Sequence, residues 1–236
     1  MGRVEVFLSG SDDAALGAFE RELDARALRR GARLACVVGG ESVRYAVVPW
    51  VEAMSSPDLS QRLAEQCFRE TYGEAAQAWR VCRHAGGYGS ATLACAIDAG
   101  LLDRLDAAAQ ARGLVVASVQ PSLMHAYNFA RGAIDAGLSW FVSFETHWTT
   151  VLLMAGDEPL LVKRLPTASV ALSGVLDREW FALGIEDPPC AVYIVRSAQV
   201  PALPAPWRGA VSARWRFIDL SPATAAAVPV DAPKAA

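Results

Sequence analysis

Short apolar runs alternate with helical patterns along the chain, which predicts a mixed α/β protein. Runs rich in β-branched and apolar residues predict strands at 3–9, 33–38, 42–48, 79–83, 91–97, 114–119, 139–145, 149–155, 159–164, 190–196 and 213–219. Apolar positions at helical spacing predict helices at 12–30, 59–71, 98–112, 122–136 and 168–182.

Turn residues between these runs predict how the first strands pair. Gly39-Gly40-Glu41 separates two strand-like runs and is typical of a hairpin turn, and the glycine-rich stretch at 85–89 predicts a second hairpin. The continuous apolar run at 114–119 is typical of a strand covered on both faces.

The pattern changes near residue 138, where three close strands with a tight turn at 155–159 predict an antiparallel meander. We therefore expect two subdomains, at 1–138 and 139–220. The Ala- and Pro-rich stretch at 221–236 predicts a disordered tail.

Charge argues against nucleic acid as a partner. The formal net charge is -3 and no stretch concentrates the basic residues, whereas nucleic-acid binders need clustered cations against phosphate. The only lysines are Lys163 and Lys234. Lysine-based covalent or phosphate-binding chemistry within the folded part would therefore depend on Lys163.

Cysteine usage and hydropathy predict the compartment. The five cysteines form an odd set without a C-x-x-C pair and are expected to be free thiols in a reducing cytoplasm: Cys36, Cys67, Cys82, Cys95 and Cys190. The apolar runs are strand-sized and the first ten residues do not resemble a signal peptide. We expect a cytoplasmic protein without direct membrane insertion.

No motif identifies a catalytic, cofactor-binding or metal-binding residue. His84, His125 and His147 have no partner at metal-ligand spacing, and a structural or surface role is favoured for each. A Cys-His nucleophilic pair stays open, although no sequence context supports one. The Gly86–Gly89 stretch lacks the Lys-Ser/Thr of a phosphate loop and lies between two strands, so it predicts a hairpin tip.

Three segments, together with the order of elements, resemble the actin-like proteins of bacterial envelope machines. They are Val43–Trp50, Ala117–Ser122 and Trp140–Glu145. The family members that the chain resembles are PilM of type IV pilus assembly and the cytoplasmic part of GspL of type II secretion, over about residues 33–200. The resemblance implies an actin-like fold of two RNase H-like subdomains, with an irregular N-terminus.

The chain departs from nucleotide-binding actin-like proteins at three places. Glu145–Thr150 stands where an Asp-x-Gly-x-x-x-Thr turn is expected, and Arg196-Ser197-Ala198 stands where a Gly-Gly pair would meet adenosine. Gly10–Asp13 runs directly into a helix instead of forming a first phosphate hairpin. A protein without cofactor and without ATP hydrolysis is expected.

The resemblance therefore implies a cytoplasmic scaffold, not an enzyme, that binds the cytoplasmic segment of an inner-membrane pilus or secretion protein. Its oligomeric state stays open, a homodimer included. One alternative is an active ATPase or sugar-kinase-type enzyme that uses Glu145 with Asp12 or Asp13. Another is an unrelated α/β protein with a small-molecule pocket.

Overall fold

The computed structural model describes residues 3–52, 56–84, 86–167, 172–186, 191–197, 200 and 214–222. Within these residues the chain forms three β-sheets and five α-helices. The strands are β1 (Arg3–Leu8), β2 (Arg33–Val38), β3 (Val43–Val48), β4 (Trp79–Arg83), β5 (Thr92–Asp98), β6 (Val115–Pro121), β7 (Leu138–Phe144), β8 (Trp148–Ala155), β9 (Glu158–Pro166), β10 (Ala191–Arg196) and β11 (Arg216–Asp219).

The five helices overlap the predicted ones; the first, third and fourth end two to six residues earlier than predicted, and the second and fifth end one residue later. They are α1 (Asp12–Ala25), α2 (Pro57–Tyr72), α3 (Ala99–Gln110), α4 (Ser122–Ala130) and α5 (Leu172–Leu183). Short 3₁₀ helices follow α2 and α4. The predicted tail at 221–236 falls almost entirely outside the described residues, as does Cys190.

The first sheet has the order β1-β2-β6, and all its strands are parallel. Helices α1 and α3 cover one face, where Phe19, Leu34, Leu101 and Leu105 are fully buried. The predicted hairpin of β2 with β3 is wrong. Both edges of β2 are occupied by parallel neighbours, so the chain leaves the sheet after β2 and β3 pairs elsewhere.

The second sheet is antiparallel and has the order β3-β5-β4, with α2 packed on one face around Phe68. The predicted hairpin of β4 with β5 is confirmed. Ser90 N–H donates to the Gly87 carbonyl (3.3 Å), which confirms a turn at the tip.

Helices α3 and α4 both contact β6, the strand that we expected to be covered on both faces. It lies at the edge of the first sheet, most of its residues are half-buried, and Val115 at its start is 46% exposed. Its apolar run reflects packing against the helices on either side, because β6 contacts both α3 and α4.

The third sheet has the order β11-β10-β7-β8-β9. Strands β7, β8 and β9 form the predicted antiparallel meander, and β10 and β11 continue the sheet in parallel. Helix α5 covers one face, where Trp140, Trp180 and Trp215 pack together. Helix α4 covers the other face, so α4 lies between the first and third sheets.

Candidate functional site

The turn after β7 meets the turn after β2, and one carboxylate joins them. Glu145 Oε2 accepts a hydrogen bond from the Gly40 backbone N–H (2.8 Å). Glu145 Oε1 accepts another from the hydroxyl of Ser122, the first residue of α4 (2.7 Å). A side chain of the third sheet therefore holds both a backbone turn of the first sheet and the start of the helix between the sheets.

The glycine pair after β2 makes this approach sterically feasible. A Cβ at Gly39 would lie 2.9 Å from Glu145 Oε2 and 3.0 Å from the Leu8 carbonyl oxygen. A Cβ at Gly40 would lie 3.1 Å from Glu145 Oε1. These distances are shorter than ordinary contacts, so the glycines serve the close approach of the protein's own carboxylate.

Arg164 on β9 binds the same turn from the other side. Its Nη1 donates to the carbonyl oxygens of Gly40 and Val43, the latter at 3.0 Å. The guanidinium carbon lies 4.3 Å from the ring centroid of Trp148, a distance typical of a cation–π contact. Both backbone groups of Gly40 are thus bound by side chains of the third sheet.

Burial sets the protonation equilibria of this contact. It raises the pKa of the Glu145 carboxyl, the hydrogen bonds from Gly40 and Ser122 partly oppose that rise, and nearby Glu41 adds to it. The pKa of Arg164 is lowered, first by burial and then by the like charge of Arg44.

A cavity of about 370 Å³ lies beside this contact, where the β7–β8 turn faces the ends of β1 and β2. It is lined by Ser9, Gly10, Gly39, Glu41, Glu145, Thr146, His147 and Trp148. Two carboxyl groups therefore border the space, and His147 Nε2 lies 3.8 Å from Glu41 Oε1. In the absence of a bound cation, such a lining disfavours a phosphate anion, which needs donors and positive charge.

The acidic residues that an active enzyme would use do not come together here. Asp13 binds Arg104 of α3 (2.8 Å), and neither Asp12 nor Asp13 lines the cavity that Glu145 borders. Arg196, at the end of β10, forms an ion pair with Asp219 of β11 (3.1 Å).

The histidines are dispersed. His125 on α4 contacts the ring of Phe7 edge-on (5.3 Å between centroids), and His84 follows β4. Over the ranges that the structure describes, no three His, Cys, Asp or Glu side chains are grouped so that they could hold a metal ion. No helix in those ranges is long and apolar enough to cross a membrane.

Sequence reasoning identified the position of Glu145 but missed its partners Gly40, Ser122 and Arg164. The available signal was the Gly39-Gly40 pair directly after an apolar strand, which we interpreted as a hairpin. A glycine pair at a turn can also indicate close approach of another segment.

The sequence matches no family model and no curated protein. Solved structures are similar in fold. The cytoplasmic domain of EpsL, an inner membrane component of the type II secretion system of Vibrio cholerae, has a TM-score of 0.56 and 11% identity; the match covers 92% of this chain and 88% of that domain.

Two further structures give the same result. A PilM-PilN type IV pilus biogenesis complex has a TM-score of 0.56 and 14% identity, over 78% of this chain and 69% of that chain. A Bacteroides thetaiotaomicron protein of actin-like ATPase fold and unknown function has a TM-score of 0.50 and 8% identity, over 78% and 67%. The predicted actin-like fold is confirmed.

Proposed function

We propose that the protein is a cytoplasmic actin-like scaffold without nucleotide chemistry, and that it binds the cytoplasmic segment of an inner-membrane component of a type IV pilus or type II secretion machine. The bond from Gly40 N–H to Glu145 is the observation that carries the proposal. Backbone N–H groups of glycine-rich turns are the donors that bind phosphate. Here the protein's own carboxylate takes such a donor.

Two features support the loss of nucleotide binding. The cavity beside Glu145 also contains Glu41, so a triphosphate entering it would approach two carboxyl groups. Trp148 has a bulky side chain where a nucleotide phosphate would need open backbone, and its ring is held in place under the Arg164 guanidinium. We propose that no cofactor is bound and no reaction is catalysed at this site.

Support for the partner class comes from the structural neighbours. EpsL is an inner-membrane component of a secretion system, and the pilus structure is a complex of PilM with PilN. A scaffold of this kind reaches the membrane through its partner, so we propose peripheral recruitment to the inner membrane.

Fractionation of cells tests the proposal. Expressed alone, the protein is expected in the soluble fraction, and expressed with the membrane proteins encoded beside its gene it should sediment with the inner membrane. Deleting the cytoplasmic segment of the partner should release it, whereas deleting the partner's periplasmic part, as a matched control, should not. A soluble protein in cells that express the whole operon would contradict the scaffold function.

A further inference from the structure

A second cavity, of about 250 Å³, lies between strands β3 and β9 and shares Arg164 and Trp148 with the contact described above. Its lining includes Val43, Arg44, Tyr72, Trp148, Val162 and Arg164. Strand β3 is an edge of the second sheet and β9 is an edge of the third. The cavity thus lies where two strand edges face each other without a strand between them.

Two guanidinium groups supply the charge of this cavity. Arg44 and Arg164 form no ion pair with a carboxylate anywhere in the part of the chain that the structure describes. Their hydrogen bonds go to the backbone carbonyl oxygens of Gly40, Glu41 and Val43. Among these described residues neither guanidinium is therefore in an ion pair, although the charge of Glu145 acts on Arg164 from the neighbouring contact.

Both arginines line the same cavity, and the pKa of Arg164 responds to the charge of Arg44. Arg44 is the first charged neighbour that lowers the pKa of Arg164, after burial. Lys163 also borders the cavity, but its ammonium is directed to Glu179 (2.7 Å). The positive charge of this cavity that is not in an ion pair with a described residue therefore belongs to the two arginines.

Aromatic rings hold these arginines in place. Arg164 stacks over Trp148, and the Arg44 guanidinium carbon lies 5.9 Å from the centroid of Trp79, which in turn contacts Tyr72. Guanidinium groups fixed in this way lose little freedom when they bind a carboxylate, since their fork is already oriented.

We propose that this cavity binds acidic side chains of an extended segment of the partner protein, an inference that rests on the proposed scaffold function. Two guanidinium groups that are not in ion pairs with described residues complement carboxylates in charge and geometry. Strands β3 and β9 are edge strands, so an extended chain can pair with their backbone groups other than the Val43 carbonyl, which both arginines bind. Trp148 and Tyr72 offer apolar surface to its side-chain stems.

Calorimetry with a capped octapeptide of alternating glutamate and serine tests the site on the full-length protein. Alternation places the carboxylates on one face of an extended chain. We expect binding at low salt that weakens as salt rises. The same peptide with glutamine in place of glutamate should not bind, and inorganic phosphate should neither bind as tightly nor displace the peptide.

Variants locate the binding. Arg44→Gln should weaken peptide binding at least about tenfold, and Arg44→Lys should weaken it less because the charge is kept. The matched control is Arg29→Gln, an exposed arginine that does not line the cavity, which should bind as the wild type does. Circular dichroism and a thermal melt establish that each variant is folded.

Three results would overturn the proposal. They are no binding of the glutamate peptide at millimolar concentration and low salt, equal binding by Arg44→Gln, and phosphate binding as tight as that of the peptide. Recruitment of Arg44→Gln to membranes as efficient as that of the wild type would leave the scaffold function standing and place the partner elsewhere. Peptide binding without recruitment to membranes would support the binding site and contradict the scaffold function.

Discussion

At the scale of single residues, Glu145 combines burial with full use of its carboxylate oxygens. Each oxygen accepts one hydrogen bond, from Gly40 and from Ser122, yet burial raises the pKa. A buried carboxylate with two donors is stabilised by them and destabilised by the loss of water. The group therefore positions the turn while its ionisation lowers the stability of the fold.

The pH dependence of folding follows from the direction of this shift. Because the folded-state pKa is raised, protonated Glu145 contributes to the free energy of unfolding. This contribution is fully present below the ordinary carboxyl pKa and is lost as pH rises through the folded-state pKa. We expect Glu145→Gln to flatten this part of the curve, since an amide can accept from Gly40 and donate to Ser122. Urea unfolding between about pH 4 and pH 8 measures it.

Two comparisons make the test specific. Glu145→Ala leaves the Gly40 N–H without its acceptor and should lower the free energy of unfolding by about 1–3 kcal/mol. Glu74→Gln removes one negative charge at an exposed residue and should leave the curve unchanged. A Glu145→Gln curve with the same slope as the wild type would show that Glu145 is not the group responsible.

At the scale of elements, the pairing of β4 with β5 places Cys82 directly opposite Cys95. Cys82 is exposed on the edge strand, whereas Cys95 lies on the central strand, where burial raises its pKa to about 12. Thiolates, not thiols, react with alkylating reagents. At pH 8 Cys95 would be ionised in on the order of one molecule in ten thousand.

Alkylation should therefore modify Cys82 well before Cys95. Peptide mass spectrometry after timed treatment with iodoacetamide at pH 8 measures both sites in one sample, in a Cys190→Ser background. Cys82→Ser should abolish the fast modification on this sheet, and Cys95→Ser should leave it. Equal rates at the two cysteines in the folded protein would contradict the burial that the sheet imposes on Cys95.

The elements also show what local sequence can and cannot predict. The meander of β7, β8 and β9 follows from short turns between adjacent apolar runs, which are local signals. The pairing of β2 was mispredicted because its neighbours β1 and β6 are distant in sequence. Once both edges of β2 are occupied, no turn chemistry at Gly39-Gly40 can pair it with β3.

The same limit applies to the site. Glu145 could be found from the resemblance at the β7–β8 turn, whereas its donors come from positions 105 and 23 residues away in the chain. A long-range contact of this kind has no local periodicity. In the sequence, only the glycine pair indicated this contact, because a Cβ at either glycine would crowd Glu145.

At the scale of the whole molecule, the first two sheets use residues 3–121 and the third uses residues 138–219. The division into subdomains at residue 138 stays a prediction, and α4 packs against both parts. Glu145 and Arg164 both bind the Gly40 turn across this boundary.

We therefore expect the purified protein to bind no Mg-ATP. Binding would require the triphosphate to displace Glu145 from Gly40 N–H and to enter a cavity bordered by Glu41 as well. Titration calorimetry with Mg-ATP up to millimolar concentration should show no binding heat beyond that of Mg²⁺ alone, and a phosphate-release assay should show no turnover.

A variant separates the two reasons for this expectation. Glu41→Gln removes one carboxylate from the cavity and leaves the Gly40 donor bound to Glu145, so it should bind no better than the wild type. Binding by Glu41→Gln but not by the wild type would show that negative charge, and not the occupied Gly40 N–H, excludes the nucleotide. Wild-type affinity in the micromolar range, about -8 kcal/mol, would contradict the proposal and favour an active actin-like enzyme with Glu145 as its acidic group.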